Sequence, residues 1–177
     1  MISKSEWDRA VDFALRGTQF ADSVFHGEDH WRAVASQGIS LAHACKLGPH
    51  GLAAGALFGL FHDCRRENDG YDPEHGLRAA KALANWAEES SISATLHDEL
   101  LHSLILHDNG QVTKDLTVGL GWDADRSTLG RVGIAPDYKF FSCVSQTDFD
   151  TFIAAGETAT AAPPSWDEIY TRAFVRN

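Results

Sequence analysis

Apolar residues recur every three to four positions through most of the chain, which is the spacing of amphipathic α-helices. The exception is the run Leu116, Val118 and Leu120, which alternates as a strand would. Gly119 and Gly121 interrupt that alternation, so it does not predict a strand. The pattern as a whole therefore predicts an all-α protein.

Helix-start residues indicate where seven helices begin. The predicted starts, in chain order, are Ser5, Glu28–Asp29, Gly51, Asp72–Pro73, Ser91 or Ser93, Asp123 and Ser165. Ser165 is followed three positions later by Glu168, which is the capping-box pattern. Residues 158–164 are small and end in proline, so we predict that they form a linker.

The third predicted helix, from about Gly51 to Cys64, is the most apolar segment of the chain. Gly51, Gly55 and Gly59 recur every four residues and give one face without side chains. Each glycine costs roughly 1 kcal/mol of helix propensity against alanine, so a close packing partner is expected on that face. We predict that this helix is central and buried.

Length and charge limit the possible architecture and partners. The chain has 177 residues, of which 44% are hydrophobic, and a net charge of -10. This fits one domain over 1–177, with a motif-bearing core at about 26–136 and a helical extension at 137–177. The acidic balance argues against nucleic acid and anionic membranes as partners. It does not argue against a small anionic substrate, because a bound metal ion reverses the local charge.

Cysteine usage and hydropathy indicate a cytoplasmic protein. Cys45, Cys64 and Cys143 are far apart and form no CxxC pair, so neither a disulfide framework nor a thiolate zinc site is indicated. The opening residues are polar, and the longest apolar run, Leu52–Phe61, is shorter than the roughly 20 residues of a membrane span. We expect no membrane segment.

Several histidines lie on predicted buried helix faces. These are His30, His75 and His107, on the second, fourth and fifth helices. His107 follows Leu104 by three positions and so extends the apolar stripe of its helix. His97 and His102 fall off that stripe and are expected to face solvent.

Two aspartates are also expected to point inward, and a buried carboxylate needs a partner. Asp63 follows His62 at the end of the third helix. Asp125 shares a face with Leu129, whereas Asp123 is better placed to cap the sixth helix. A divalent cation would satisfy both carboxylates and accept His30 and His62. This sulfur-free set suits Mn, Fe, Co, Ni or Zn, with open positions for water.

Each of these residues also has a purely structural interpretation. A single inward histidine is more often a hydrogen-bonded core residue or a helix cap than a ligand. Asp63 could pair with Arg66, and Asp125 could simply favour a helix start. The metal interpretation depends on several helices bringing donors to one point.

The order of these residues resembles the H…HD…D signature of the HD-domain superfamily of metal-dependent phosphohydrolases. The matching fragments are His30 with its neighbouring tryptophan, Phe61–His62–Asp63, and Asp123–Arg126. The segment Arg66–Gly76 is similar to a bacterial subgroup of that superfamily. The resemblance implies an HD/phosphodiesterase-like helical fold and hydrolysis of a phosphomonoester or phosphodiester, in a small nucleotide-like substrate.

His75 and His107 match the additional histidines of two-metal HD proteins. If they are ligands, the resemblance implies a binuclear site in which Asp63 bridges two ions. If they are not, one ion is expected, and both histidines would contact phosphate or line the pocket.

The resemblance also indicates roles for residues near the motifs. It implies that Asp63 and Arg66 are catalytic, and that Arg66 and Arg126 are candidates for phosphate binding. Glu67 or Asp69 could relay a proton, although Asp69 could instead orient Arg66.

The chain departs from several HD subgroups. Arg66 stands where HD nucleoside-monophosphate phosphatases carry a glutamate, which argues against a simple 5′-nucleotidase. No GYP follows the HD pair, so cyclic-di-GMP is not favoured as a substrate. Two alternatives are a di-iron HD-fold oxygenase and an HD module that binds metal without catalysis.

Overall fold

The computed structural model describes residues 2–175 and confirms the all-α prediction, since none of these residues lies in a strand. Met1 and the last two residues of the predicted 137–177 extension lie outside this range. The α-helices found in it are α1 (Lys4–Arg16), α2 (Glu28–Ala44), α3 (Gly48–Phe61), α4 (His75–Ala87), α5 (Ala94–Leu106), α6 (Leu116–Arg126), α7 (Phe149–Ala161) and α8 (Trp166–Phe174). Two short 3-10 turns, Leu129–Val132 and Tyr138–Phe140, separate α6 from α7.

Helix α3 is the central element, as its composition predicts. It carries no Lys, Arg, Asp or Glu and is buried along most of its length. It packs against α1, α2, α4, α5, α6 and α8. Its C-terminal end therefore lies inside the protein, where the polar pair His62–Asp63 follows directly.

The glycines of α3 bring its backbone against that of α2. A Cβ at Gly55 would lie 2.5 Å from the carbonyl carbon of Gly38, and one at Gly59 would lie 2.3 Å from the backbone nitrogen of Ala35. Gly38 is thus a packing residue of α2. The predicted side-chain-free face is confirmed, and it fixes the distance between α2 and α3.

Three predicted helix starts are displaced in the structure. Helix α1 is capped by Ser3 rather than Ser5, because Ser3 forms a capping box with Glu6. Helix α3 begins at Gly48, with Pro49 in its first turn. Helix α4 begins at His75 rather than after Asp72, whose carboxylate is instead paired with Arg78 at 2.6 Å.

The predicted start of α6 at Asp123 is wrong. The helix begins seven residues earlier in sequence, at Leu116, and Asp115 caps it by accepting from the backbone of Thr117 and Val118. Asp123 is buried in the last turns and accepts hydrogen bonds from the backbone N–H groups of residues 142, 143 and 144.

Tertiary packing explains why α6 tolerates its two glycines. A Cβ at Gly121 would lie 2.6 Å from the ring of Phe58, and one at Gly119 would lie 2.7 Å from the side chain of Ser142. Close packing thus outweighs a propensity cost of roughly 1 kcal/mol for each glycine.

The C-terminal helices return to the start of the chain. Helix α7 extends through Ala161, so the predicted linker at 158–164 is mostly helical. Ser165 and Glu168 form the predicted capping box of α8. Trp7 donates to the carbonyl of Trp166 and packs edge-on against its ring, which joins α8 to α1.

Among the helices of residues 2–175, none is long and apolar enough to cross a membrane.

Glu6 couples the first helix to a distant loop and should make stability acid-sensitive. Its carboxylate accepts from the backbone of Ser3 and of Ser91, each at 2.8 Å. The Ser3 backbone bond is the main cause that lowers the pKa of Glu6 to about 2. Because folding favours the ionised form, this contribution is complete above the ordinary pKa of 4.5 and is lost as pH falls toward 2.

We therefore expect the free energy of unfolding of Glu6→Gln to fall less steeply with acid than that of the parent chain. Denaturant titrations between about pH 5 and pH 2 would measure it. Glu88→Gln, at an exposed carboxylate, is the control. Identical slopes for the parent and Glu6→Gln would contradict the assignment.

Candidate metal centre

Five helix ends meet at one point in the interior. The donors come from the first turn of α2, the end of α3, the start of α4, the end of α5 and the last turn of α6. They are the six predicted ligands His30, His62, Asp63, His75, His107 and Asp125, arranged in two groups of three. All are buried except Asp125, whose side chain is 15% exposed.

The first group contains His30, His62 and Asp125. The Nε2 atoms of His30 and His62 lie 3.0 Å apart, and His30 Nε2 lies 3.4 Å from Asp125 Oδ1. Ligands that share an ion at about 2.0–2.2 Å lie about 3.0–3.6 Å from one another. The spacing of this group therefore fits one transition-metal ion.

The second group contains Asp63, His75 and His107. The Nε2 atoms of His75 and His107 are 2.8 Å apart, and Asp63 Oδ1 lies 3.5 Å and 4.0 Å from them. The other oxygen of Asp63, Oδ2, lies 3.6 Å from the Nε2 atoms of both His30 and His62. Asp63 thus faces a histidine pair with each of its oxygens.

Backbone carbonyls fix the tautomers of three of these histidines. The Nδ1 atom of His62 donates to the carbonyl of Gly59, that of His75 to Asp72, and that of His107 to Leu104. The proton is then on Nδ1, and each Nε2 carries a lone pair. This carbonyl–histidine arrangement is typical of metal-binding histidines.

The resulting contacts call for a cation. Lone pairs of His75 and His107 face each other at 2.8 Å, with no proton available from either Nδ1-protonated ring. Within residues 2–175, Asp125 Oδ1 and His30 Nδ1 are buried without a hydrogen-bond partner. Buried polar atoms without partners are costly, and a bound divalent ion would accept the facing Nε2 lone pairs and give Asp125 Oδ1 a partner. The donor set therefore fits a transition metal.

Burial and neighbouring charges keep the donors in their ligating forms. Burial lowers the pKa of His62 to about 3 and also lowers that of His75, so both are neutral at neutral pH. Burial alone would raise the pKa of Asp63, but His62, His30 and Arg66 together hold it well below its usual range. Burial is likewise outweighed at Asp125, where contact with His30 and the charge of Arg131 lower the pKa.

A glycine at the second group lets α4 approach α5. A Cβ at Gly76 would lie 2.4 Å from the carbonyl oxygen of Leu104. This oxygen also accepts the hydrogen bond that orients His107. Gly59 acts in the same way at the first group, since it packs against α2 and its carbonyl orients His62. Backbone contacts therefore set the spacing of both histidine pairs.

Two arginines stand beside the aspartates. Arg66 Nη1 lies 3.3 Å from Asp63 Oδ1, and its other nitrogens donate to the carbonyls of Asn68 and Gly70. Arg131 Nη2 lies 3.6 Å from Asp125 Oδ1, and sequence reasoning did not identify it. Its position five residues after Arg126 gave no signal, because the 3-10 turn that orients it was not predicted.

The other predicted polar residues form their contacts away from the donor side chains. Arg126 is buried and donates to the carbonyls of His107, Gln111 and Phe140. These bonds connect α6 to the end of α5 and to the 3-10 turn Tyr138–Phe140. Glu67 is exposed, and its carboxylate lies 3.7 Å from Arg78 rather than near a donor.

Asp69 does not orient Arg66, as one predicted alternative had it, but pairs with His26. The Nδ1 atom of His26 lies 3.1 Å from Asp69 Oδ1, which also accepts from Ser23 at 2.7 Å. The His26 ring is 6.2 Å from that of His30. Burial lowers the pKa of His26. The nearby charge of Asp63 raises this pKa, whereas those of Arg66 and Arg131 lower it. His26 lies in the turn before α2, so helical spacing did not identify it.

A cavity of about 260 Å³ lies next to the centre. His107 and Asp125 line it together with apolar residues, notably Leu129, Phe140 and Phe141. Both histidine-bearing groups thus have a side that a small molecule can approach.

Comparison with protein-family models, curated proteins and solved structures finds no match to this chain. Membership of the HD-domain superfamily therefore stays a prediction from the sequence motifs. The buried His/Asp groups that could hold a metal ion are a property of this structure itself.

Proposed function

We propose that this protein is a metal-dependent phosphohydrolase that acts on a phosphomonoester or phosphodiester of a small, nucleotide-like molecule. The observation that carries the proposal is the position of Asp63, whose two oxygens face two separate histidine pairs. This geometry favours the binuclear alternative over a single ion. When bound, divalent ions supply Lewis acidity and an acidified water to such a site.

The arginines beside the centre support a phosphoryl substrate. Arg66 and Arg131 place guanidinium groups next to Asp63 and Asp125, on the two metal-ligating groups. Guanidinium groups bind phosphoryl oxygens through directed, charge-assisted hydrogen bonds. We assign them the role of orienting the phosphoryl group, while Arg126 maintains the fold around the cavity.

His26 is the residue best placed to move a proton. Asp69 holds its Nδ1 atom, so Nε2 is the nitrogen that exchanges a proton with a group in the site. The same pairing gives Asp69 a positioning role. Leu129, Phe140 and Phe141 give the adjacent cavity apolar surface, against which the alcohol portion of the substrate would pack.

The test is metal content and turnover on the same preparation. Protein purified without oxygen should contain two transition-metal ions per chain, one for each group. His107→Ala should retain one ion, because the first group keeps its donors. Phosphate release from a panel of phosphomonoesters and phosphodiesters should depend on the metal and stop when a chelator removes it.

Other outcomes would support the alternatives. Iron in the centre with turnover that requires O₂ would favour an oxygenase. Full metal content without turnover of any ester in the panel would favour a binding module.

A further inference from the structure

A second cavity, of about 500 Å³, lies between α1, the segment after α3, and the end of α4. The residues that give it chemical character are Arg9, Arg16, Arg65, Phe13, Trp86 and Glu89. None of the six metal donors is among its lining residues. Its size falls within the roughly 300–1,000 Å³ of pockets that bind small molecules.

Positive charge is concentrated in this cavity, although the chain carries a net charge of -10. Three arginines line it together with a single acidic residue, Glu89. Among residues 2–175, no carboxylate forms an ion pair with Arg9 or Arg65. Arg16 pairs with Asp12 at 2.8 Å, on the exposed side of α1. The cavity is therefore suited to an anion.

Arg65 is held in place before any ligand arrives. It donates to the backbone carbonyls of Phe13, Ala14 and Cys64, and its guanidinium lies 5.1 Å from the centre of the Phe13 ring. Gly17 permits this position, since a Cβ there would lie 2.0 Å from Arg65 Cζ. The carbonyls accept hydrogen bonds from three of its five N–H groups and leave its charge without a neutralising partner.

Aromatic side chains form the other part of the wall. Phe13 and the largely buried Trp86 line the cavity, and both rings pack against Phe61 in the core. A flat, apolar group on the ligand would bury area against them, while guanidinium groups bind its anionic end.

We propose that this cavity binds a phosphorylated aromatic molecule of nucleotide size, with its phosphate on the arginines and its ring against Phe13 and Trp86. The site is separate from the candidate metal centre and does not depend on the proposed function.

Calorimetric titration with α,β-methylene-ADP tests the proposal on the full-length, metal-loaded protein. Binding should persist in Asp63→Asn, which disables the metal centre. In the double variant Arg9→Gln/Arg16→Gln the Kd for α,β-methylene-ADP should rise at least about tenfold, because the charge-assisted hydrogen bonds to its phosphate groups are lost. Both arginines are exposed, so this variant should fold.

The matched control is Lys46→Gln/Lys114→Gln, which removes the same charge at exposed positions outside the cavity and should leave the Kd unchanged. Methylenediphosphonate, which has no ring, should bind more weakly than the nucleotide analogue. The proposal is overturned if binding disappears in Asp63→Asn, if both double variants weaken it equally, or if the parent protein gives no binding heat.

Discussion

Replacing Asp63 by alanine should remove bound metal from both groups and abolish turnover. Asp63 is the one donor whose oxygens face both histidine pairs, at 3.5 to 4.0 Å. Loss of a residue that merely orients a ligand typically costs 10–100-fold in affinity or activity, so loss of a shared ligand should exceed about 100-fold. Elemental analysis per chain and phosphate release from the best substrate of the panel would measure it.

The controls separate metal loss from unfolding. Asp63→Asn keeps the size of the side chain but not its charge, and its helical circular dichroism should match that of the parent protein. Asp98→Ala removes an exposed carboxylate on α5 and should leave metal content unchanged. Full metal stoichiometry in Asp63→Ala would rule out the assignment of this residue as the shared ligand.

Replacing His26 by asparagine should lower kcat by about 10²–10⁴-fold, the usual contribution of a general acid or base. Metal content should not change, because His26 is not one of the six donors. Asp69→Asn should cause a smaller loss, since His26 keeps its ring but loses the carboxylate that fixes its tautomer. Steady-state kinetics across a pH series would measure both variants, and His26→Asn should lose one limb of the pH profile of kcat.

The chain contains a natural control for this pair. His97 lies 3.3 Å from Asp98 on the outside of α5, so it reproduces a histidine–aspartate contact away from the centre. His97→Asn should therefore leave kcat unchanged. An unaltered kcat in His26→Asn, or a parallel loss of metal, would contradict a role in proton transfer.

The sequence predicted which residues form the candidate metal centre because their spacing relates to helix faces. His107 extends an apolar stripe, and Asp63 follows an apolar helix that had to be central, so both could be placed in the interior. Asp125 was correctly predicted to point inward even though the predicted start of α6 was wrong and Leu129, whose helix face it was expected to share, lies beyond the end of α6. Helix type and face were therefore more predictable than helix ends.

Residues outside the helices could not be placed in this way. His26, Asp69 and Arg131 lie in turns, and their contacts depend on loops that meet only in the folded chain. Arg126 adjoins a ligand motif, yet three carbonyls from separate segments determine its direction. Such long-range backbone contacts have no local signal in the sequence.

The distribution of the donors along the chain also links metal binding to cooperative folding. The first donor is His30 and the last is Asp125, and each of five helices contributes at its end. No single hairpin of two helices contains either complete group, so the centre assembles only when distant segments have docked. A subglobal opening that releases any one of these helices would break a donor group. Ion release would therefore report the opening of whichever of the helices α2 to α6 opens most easily.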